Sequence, residues 1–564
     1  MMRLSKALWA VLAGSAVIVL SSAPSVAQPR PSADLILSNG KVATLNARSD
    51  FAEAIAIKDG RVLAVGSNTD IAANKGPSTR VIDLQGRTVI PGLQDSHVHV
   101  SGIGASTFTD AQIGGARSIV EILDIIKEAA EKKTPGEWVT VSSDLRLIRI
   151  KEKRYPTKAE LDSVAPNNPA LVPTGHMSTA NSAALKAAKI TRETANPTGG
   201  VIHHDAKGEP DGVLEEQASG LVASLVPERK VDVSQAIENA QKRLVSFGFT
   251  SVREPGVSHD VLESYRKLER EHRLLLRSSV LLRPAGNTES IVRQIESWKD
   301  EVGKGDDMLR VWGIKLSLDG GLVLTNAGLM HEPYLDKPGY RGIQQIPTDI
   351  YNRAVAAANR VGFPVATHAT GDAGIDIASD AYAKASAERD IRGRRFSVEH
   401  DDLPTPHALA VQKQYGIIAS IQPSQMTTAP AVLLDQLGKK RMDTFLPYQT
   451  FKKEGIVMAG GSDSPAFEVN PYVGLWSAVT RKVRAAEVVV NAPQALSRED
   501  ALKIYVQGGA YLTFDENNKG SIEPGKFADF TVLSDDYFTI PVDKILEITP
   551  LYTIVAGKVV YQKP

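Results

Sequence analysis

Hydrophobic and polar positions change rhythm twice along this chain. From Ala33 to Val89 short apolar runs recur: Asp34-Leu35-Ile36-Leu37, Ala54-Ile55-Ala56-Ile57 and Arg61-Val62-Leu63-Ala64-Val65. Asn39-Gly40 and Asp59-Gly60 punctuate them. Asx-Gly pairs supply the positive φ values that tight hairpin turns need, so this stretch predicts strands joined by short turns. The same texture returns at the far end, in Phe527 to Leu533, Leu551 to Val555 and Lys558-Val559-Val560-Tyr561. Neither segment can bury a face alone, so the expectation is one small sheet domain built from both. Two independent end domains are the alternative.

Between these ends, buried-strand runs alternate with segments of helical period. After the stretch holding His97 and His99, strands are predicted at Phe249–Val252, Leu276–Leu282, Val311–Leu316, Pro364–Thr367, Phe396–Val398, Ile417–Ile421 and Ile456–Ala459. Helices are predicted between them, such as Asp349–Val361 and Asp372–Glu388, with apolar residues near period 3.6. Eight strands alternating with helices predict an α/β protein: a (β/α)8 TIM-like barrel with a small β-sandwich domain formed from both chain ends. The expected division is a leader at 1–27, the β-rich domain at 28–90 and 516–564, and the barrel at 91–515. The stretch at about 104–245 is too long for one connection and reads as an insertion with its own structure, placed where it could cap the barrel mouth.

Composition narrows the partners. Lys plus Arg equals Asp plus Glu at 65 each, so no net field draws nucleic acid or an anionic membrane. Arg3 and Lys6 precede an apolar run from Ala7 to Leu20, followed by Ser25-Val26-Ala27. That is the pattern of a secretory signal peptide, with an uncleaved anchor as the alternative. The chain holds no cysteine, which suits an oxidising compartment. The expected address is exported, a bacterial periplasm or the medium. The expected partner is a small-molecule substrate, with a homodimer as the default assembly.

Candidate chemistry sits at the ends of the predicted barrel strands: His97 and His99 in Asp-Ser-His-Val-His, Lys315 in Gly-Ile-Lys-Leu, His368 in Ala-Thr-His-Ala, His400 in Val-Glu-His, and Asp463 in Gly-Gly-Ser-Asp-Ser-Pro. Their separations approximate whole βα units of roughly 30 residues, which brings them to the C-terminal face, where barrel active sites lie. At i and i+2 of a strand, His97 and His99 share a face and can grip one ion. Imidazole nitrogens and carboxylate oxygens are the donors a zinc-like ion takes. Lys315 lies among apolar neighbours and is costly to bury charged. Two readings are open for it: carboxylation into an anionic bridge between metals, or an ion pair with Asp319 on the same face. Most of the seven remaining histidines read as solvated.

On these residues the chain resembles the amidohydrolase superfamily, and within it the YtcJ-like branch (amidohydrolase family 3), from about Ala33 to Gln562. The opening signature is Ile90-Pro91-Gly92-Leu93 before Asp95-Ser96-His97-Val98-His99, and the closing one is Gly520 to Lys526 followed by Ala528-Asp529. Features closer to the branch are His176 with Asn181-Ser182-Ala183-Ala184-Leu185, Pro197 with Gly199-Gly200, His368-Ala369-Thr370-Gly371-Asp372, and Gln422-Pro423. The resemblance implies that His97, His99 and Asp463 hold one metal, that His368 and His400 hold a second, and that a carboxylated Lys315 bridges them. It also makes His176 a substrate-contact candidate, although Thr174 stands where the branch carries an acidic residue.

The resulting reading is hydrolysis of an amide or N-acyl C–N bond by metal-activated hydroxide, with one or two divalent ions, Zn²⁺ the favoured one, and Asp463 as proton carrier. An esterase, lactonase or deaminase on the same site is the nearest alternative, and a non-catalytic exported binding protein the more distant one. A serine hydrolase is disfavoured, because no Gly-x-Ser-x-Gly elbow precedes a helix.

Overall fold

The computed structural model describes residues 31–564, apart from 143–144, 146–149, 153, 175, 228–231 and 485–487. The leader at 1–27 lies outside the described residues. Eight parallel strands form one sheet in chain order: β1 Leu93–Asp95, β2 Phe249–Val257, β3 Arg277–Leu282, β4 Leu309–Ser317, β5 Val365–Ala369, β6 Ser397–His400, β7 Ile418–Ile421 and β8 Met458–Gly460. Strands covered on both faces need near-continuous apolar runs, and β3, β5, β6 and β7 are buried at every position. Helices wrap the outside, among them Thr348–Val361 and Asp372–Glu388. The α/β barrel expectation is met.

Between β8 and β1 the barrel closes through the loops that follow the two strands. Ser96 N donates to Gly460 O at 3.0 Å, Asp463 N to His97 O at 2.6 Å, and His99 N to Ser464 O at 2.9 Å. A Cβ on Gly461 would lie 2.6 Å from His97 N, so only glycine lets these two loops approach so closely.

The chain ends meet as expected. Phe530–Leu533 pairs antiparallel with Thr88–Pro91, which pairs in turn with Lys41–Ala43, in a six-stranded sheet that also takes Pro550–Val555 and Lys558–Gln562. A four-stranded sheet of Arg61–Gly66, Ala54–Lys58, Leu35–Ser38 and Arg80–Asp83 faces it. Leu35, Leu37, Ile55 and Ile57 from the first end share a core with Phe530, Val532 and Ile554 from the last. A buried ion pair from Arg277 to Asp529, 2.7 Å, ties this sandwich to the barrel.

The insertion carries a five-stranded sheet over Val139–Thr140, Ala170–Pro173, Met177–Ala180, Gly200–His204 and Pro210–Glu216. Its extent is narrower than the 104–245 read from the sequence. Helix Val233–Val245 packs against helix Val100–Ser106 and leads into β2, so it belongs to the barrel wall.

Candidate functional site

All six residues proposed from the sequence stand at the C-terminal mouth of the barrel, around one cavity of about 1280 Å³. Lys315, His368 and His400 lie on β4, β5 and β6. One local expectation is corrected. Strand β1 ends at Asp95, so His97 and His99 occupy the loop beyond it rather than one strand face. They converge because that loop is stitched to the loop after β8, not because of a two-residue repeat. Asp95 reinforces the seam, its Oδ1 accepting from Ser462 N at 2.8 Å and His97 N at 3.3 Å.

Asp463 Oδ1 lies 3.5 Å from His97 Nε2 and 3.3 Å from His99 Nε2. Ligand-capable atoms of these three residues all fall within 4.8 Å of one another. The His400 ring is 5.0 Å from that of His97 and 4.4 Å from that of His368. Both His400 (φ +78°) and Asp463 (φ +52°) adopt left-handed backbone, which turns them off the strand direction. Such geometry is costly in non-glycine residues and persists where surrounding contacts enforce it.

Partners behind the ring fix the imidazoles. His97 Nδ1 meets Glu399 Oε2 at 2.6 Å, and His400 Nδ1 meets Gln422 Oε1 at 2.6 Å. With Nδ1 donating, each Nε2 keeps its lone pair, the arrangement that orients a metal-ligating histidine. Glu399 is in turn gripped by Arg253, whose guanidinium donates to both carboxylate oxygens at 3.0 and 3.1 Å; both side chains are completely buried. Burial lowers His97 to about 4 and His400 to about 3, so both stay neutral at pH 7. Burial works against the charged form of Asp463, but the hydrogen bond from His99 holds it below the usual carboxylate range.

Lys315 is 4% exposed, and burial lowers it to about 8. The alternative that paired it with Asp319 is not realised. Both Asp319 oxygens accept backbone amides, from Leu329 at 2.9 Å, Gly371 at 2.9 Å and Thr370 at 3.1 Å, because the chain has turned off β4 after Ser317. Among the described residues Lys315 has no ion-pair partner.

His176 reaches the cavity from the insertion and is not a solvated histidine. Its ring lies 4.9 Å from that of His368, and its Nδ1 meets Glu216 at 3.0 and 3.1 Å. Burial opposes its charged form, but the Glu216 carboxylate pushes His176 above its ordinary value. Arg117, Leu145, Tyr155 and Thr174 also line the cavity, so the insertion supplies part of its wall. Glu399, Arg253 and Glu216 had no role in the sequence reading, and Asp95 stood there only as part of a signature. The signal available was charge where a buried strand should be apolar: Glu399 within Ser397–His400, and Arg253 with Glu254 within β2.

A parallel barrel with clustered imidazoles and a carboxylate at its C-terminal mouth defines the class of metal-dependent barrel hydrolases. The Amidohydrolase family profile matches residues 80–561, and the chain belongs to that family. It is 30% identical to YtcJ of Bacillus subtilis, over 94% of this chain and 99% of that one. It is also 30% identical to Protein LONG AFTER FAR-RED 3 of Arabidopsis thaliana, over 94% and 92%. N-substituted formamide deformylase of Arthrobacter pascens is 27% identical over 94% and 98%. Among solved structures, an uncharacterized metal-dependent hydrolase from Pyrococcus horikoshii superposes with a TM-score of 0.69 at 23% identity, covering 90% of this chain and 99% of that one.

Proposed function

We propose that this protein is an exported hydrolase that uses a divalent metal to cleave an amide or N-acyl C–N bond of a small molecule. The observation that carries the reading is the mutual approach of His97, His99 and Asp463 within 4.8 Å, with buried, neutral imidazoles behind it. Neutral nitrogens and an ionised carboxylate are the protonation states a metal requires, so the residues fit the ion. His97, His99 and Asp463 would hold one Zn²⁺, and His368 and His400 a second. Lys315, buried among them without an ion-pair partner in the described chain, would bridge the two after its amine takes up carbon dioxide and loses a proton. The choice of a C–N bond is supported by the family and by the formamide deformylase relative.

When bound, the ion acidifies water from a pKa of about 15.7 to about 7 and polarises a carbonyl. Asp463 takes the water's proton and delivers it to the departing nitrogen, which it can do because it stays ionised beside both imidazoles. Glu399 and Gln422 keep His97 and His400 in the productive tautomer. From the insertion, His176 contacts the substrate opposite Asp463.

Metal analysis of the purified mature protein tests this, before and after chelation, with amide hydrolysis followed in parallel. About two equivalents per chain, lost and restored together with activity, are expected. One equivalent would leave Lys315 unmodified, and none after supplying zinc and bicarbonate would overturn the site. Export rests on the leader pattern at 1–27 and the absence of cysteine. Intact mass of the exported protein should correspond to a chain starting at Gln28, and retention of the first 27 residues would refute cleavage.

A further inference from the structure

One carboxylate ties the insertion to the barrel. Glu216 ends the insertion's strand Pro210–Glu216, its N donates to His176 O at 2.8 Å, and its side chain is 4% exposed. Three donors from separate segments converge on it: His176 Nδ1 at 3.0 and 3.1 Å, Gln345 Nε2 at 2.9 Å and Gly321 N at 3.2 Å. Gly321 and Gln345 belong to the segment between β4 and helix Thr348–Val361. That segment passes so close that a Cβ on Gly320 would lie 2.7 Å from Glu216 Oε1, and one on Gly321 would lie 2.6 Å from His176 Cδ2. Glu216 itself holds φ +49° and ψ −122°. Glycine adopts such a backbone cheaply, and other residues keep it only where their surroundings enforce it.

The protons in this cluster follow from what each partner is able to do. An ionised carboxylate and a backbone carbonyl only accept. Gln345 Nε2 also donates to Asp319 O at 2.7 Å, while Gln345 Oε1 accepts from Gln217 Nε2 at 3.2 Å, so the amide has one orientation. By the same logic His176 Nδ1 carries a proton and gives it to Glu216. The His176 ring lines the cavity and lies 4.9 Å from that of His368. Its Nε2 is then the ring nitrogen left for a bound molecule.

We propose that Glu216 is a positioning residue: it holds the insertion on the barrel, fixes His176 with its proton on Nδ1, and so presents Nε2 to the substrate. The effect of Glu216 on turnover runs through His176. What Nε2 meets rests on the hydrolase reading above; the state of the ring does not. An amide at position 216 cannot replace the carboxylate, because it offers one oxygen to three donors.

Two measurements on zinc-loaded full-length mature protein test this. The first is ¹H–¹⁵N NMR of histidine-labelled protein at a pH where the ring is neutral, with the His176 signals identified by their loss in His176→Ala. Nδ1 should be protonated and Nε2 not, and in Glu216→Ala the ring should populate both tautomers. Glu216→Gln keeps the size of the side chain and should move the ring part of the way, which decides the matter if the alanine variant fails to fold. An Nδ1 without a proton, or a ring unchanged by either substitution, overturns the assignment. The second measurement is a double-mutant cycle on hydrolysis of 4-nitroacetanilide. Glu216→Gln should lower kcat/KM by on the order of 10²-fold, the cost of misplacing a contact group. In a His176→Ala background the same substitution should cost no more than about twofold. Equal losses in both backgrounds would make Glu216 a residue of the fold alone and overturn the proposal. A ring state that depends on Glu216, with no turnover by any of the proteins, upholds the positioning of His176 and counts against the hydrolase reading instead.

Discussion

Asp463→Asn lowers kcat by about 10²–10⁴ while leaving the metal bound. The magnitude is what a positioned proton carrier contributes. Asparagine preserves the shape of the side chain and an oxygen for the ion and for His99, 3.3 Å away, but it cannot accept the water's proton. The carboxylate is available for that task because the hydrogen bond from His99 keeps it ionised against the cost of burial. Its φ of +52° aims it from the loop after β8 into the mouth, and the variant keeps that backbone. Metal content and kcat are therefore the two quantities to measure. A variant that retains both removes Asp463 from proton transfer.

Glu399→Gln destabilises the protein by about 3–5 kcal/mol, the range for breaking a buried ion pair from one side. Arg253 is left with its charge and no carboxylate, in a site where neither side chain touches solvent. Denaturant unfolding measures this loss. The same substitution weakens the hold on His97 Nδ1 and lowers metal affinity or activity by about 10–100-fold, the usual cost of losing a partner behind a ligand. Replacing both Arg253 and Glu399 by methionine separates the two effects. The double variant should recover much of the stability, since a matched apolar pair often substitutes for a buried ion pair. It should not recover the orientation of His97. Recovery of both would show that Glu399 serves the fold alone.

The barrel and the cluster at its mouth were legible because they are written in local pattern. Runs such as Phe363 to Ala366 are apolar throughout, and one strand-end residue follows another at βα-unit spacing. The partners behind the imidazoles are not written locally. Arg253 and Glu399 are 146 residues apart, and only the angular positions of β2 and β6 bring them together. Gln422, by contrast, could be read as a branch feature but not as the hydrogen-bond partner of His400, since nothing in Gln-Pro says which ring it will face. His97 and His99 reach the barrel mouth by another route than the one expected: a strand face was expected, and a loop held by Gly461 and Asp95 does the positioning. His176 depended on where a separate sheet would dock, which no periodicity within it reveals.

The pairing of Thr88–Pro91 with Phe530–Leu533 sets a timetable for this chain during synthesis. The first strands leave the ribosome more than four hundred residues before the strand that covers them, a wait of roughly 20–90 s at ordinary elongation rates. All six proposed ligands have been made by Asp463, yet the hydrophobic core shared by the two ends is still open at that point. A nascent chain that has reached Asp463 still lacks the last strands over Leu35, Leu37, Ile55 and Ile57, so the sandwich is the part completed last.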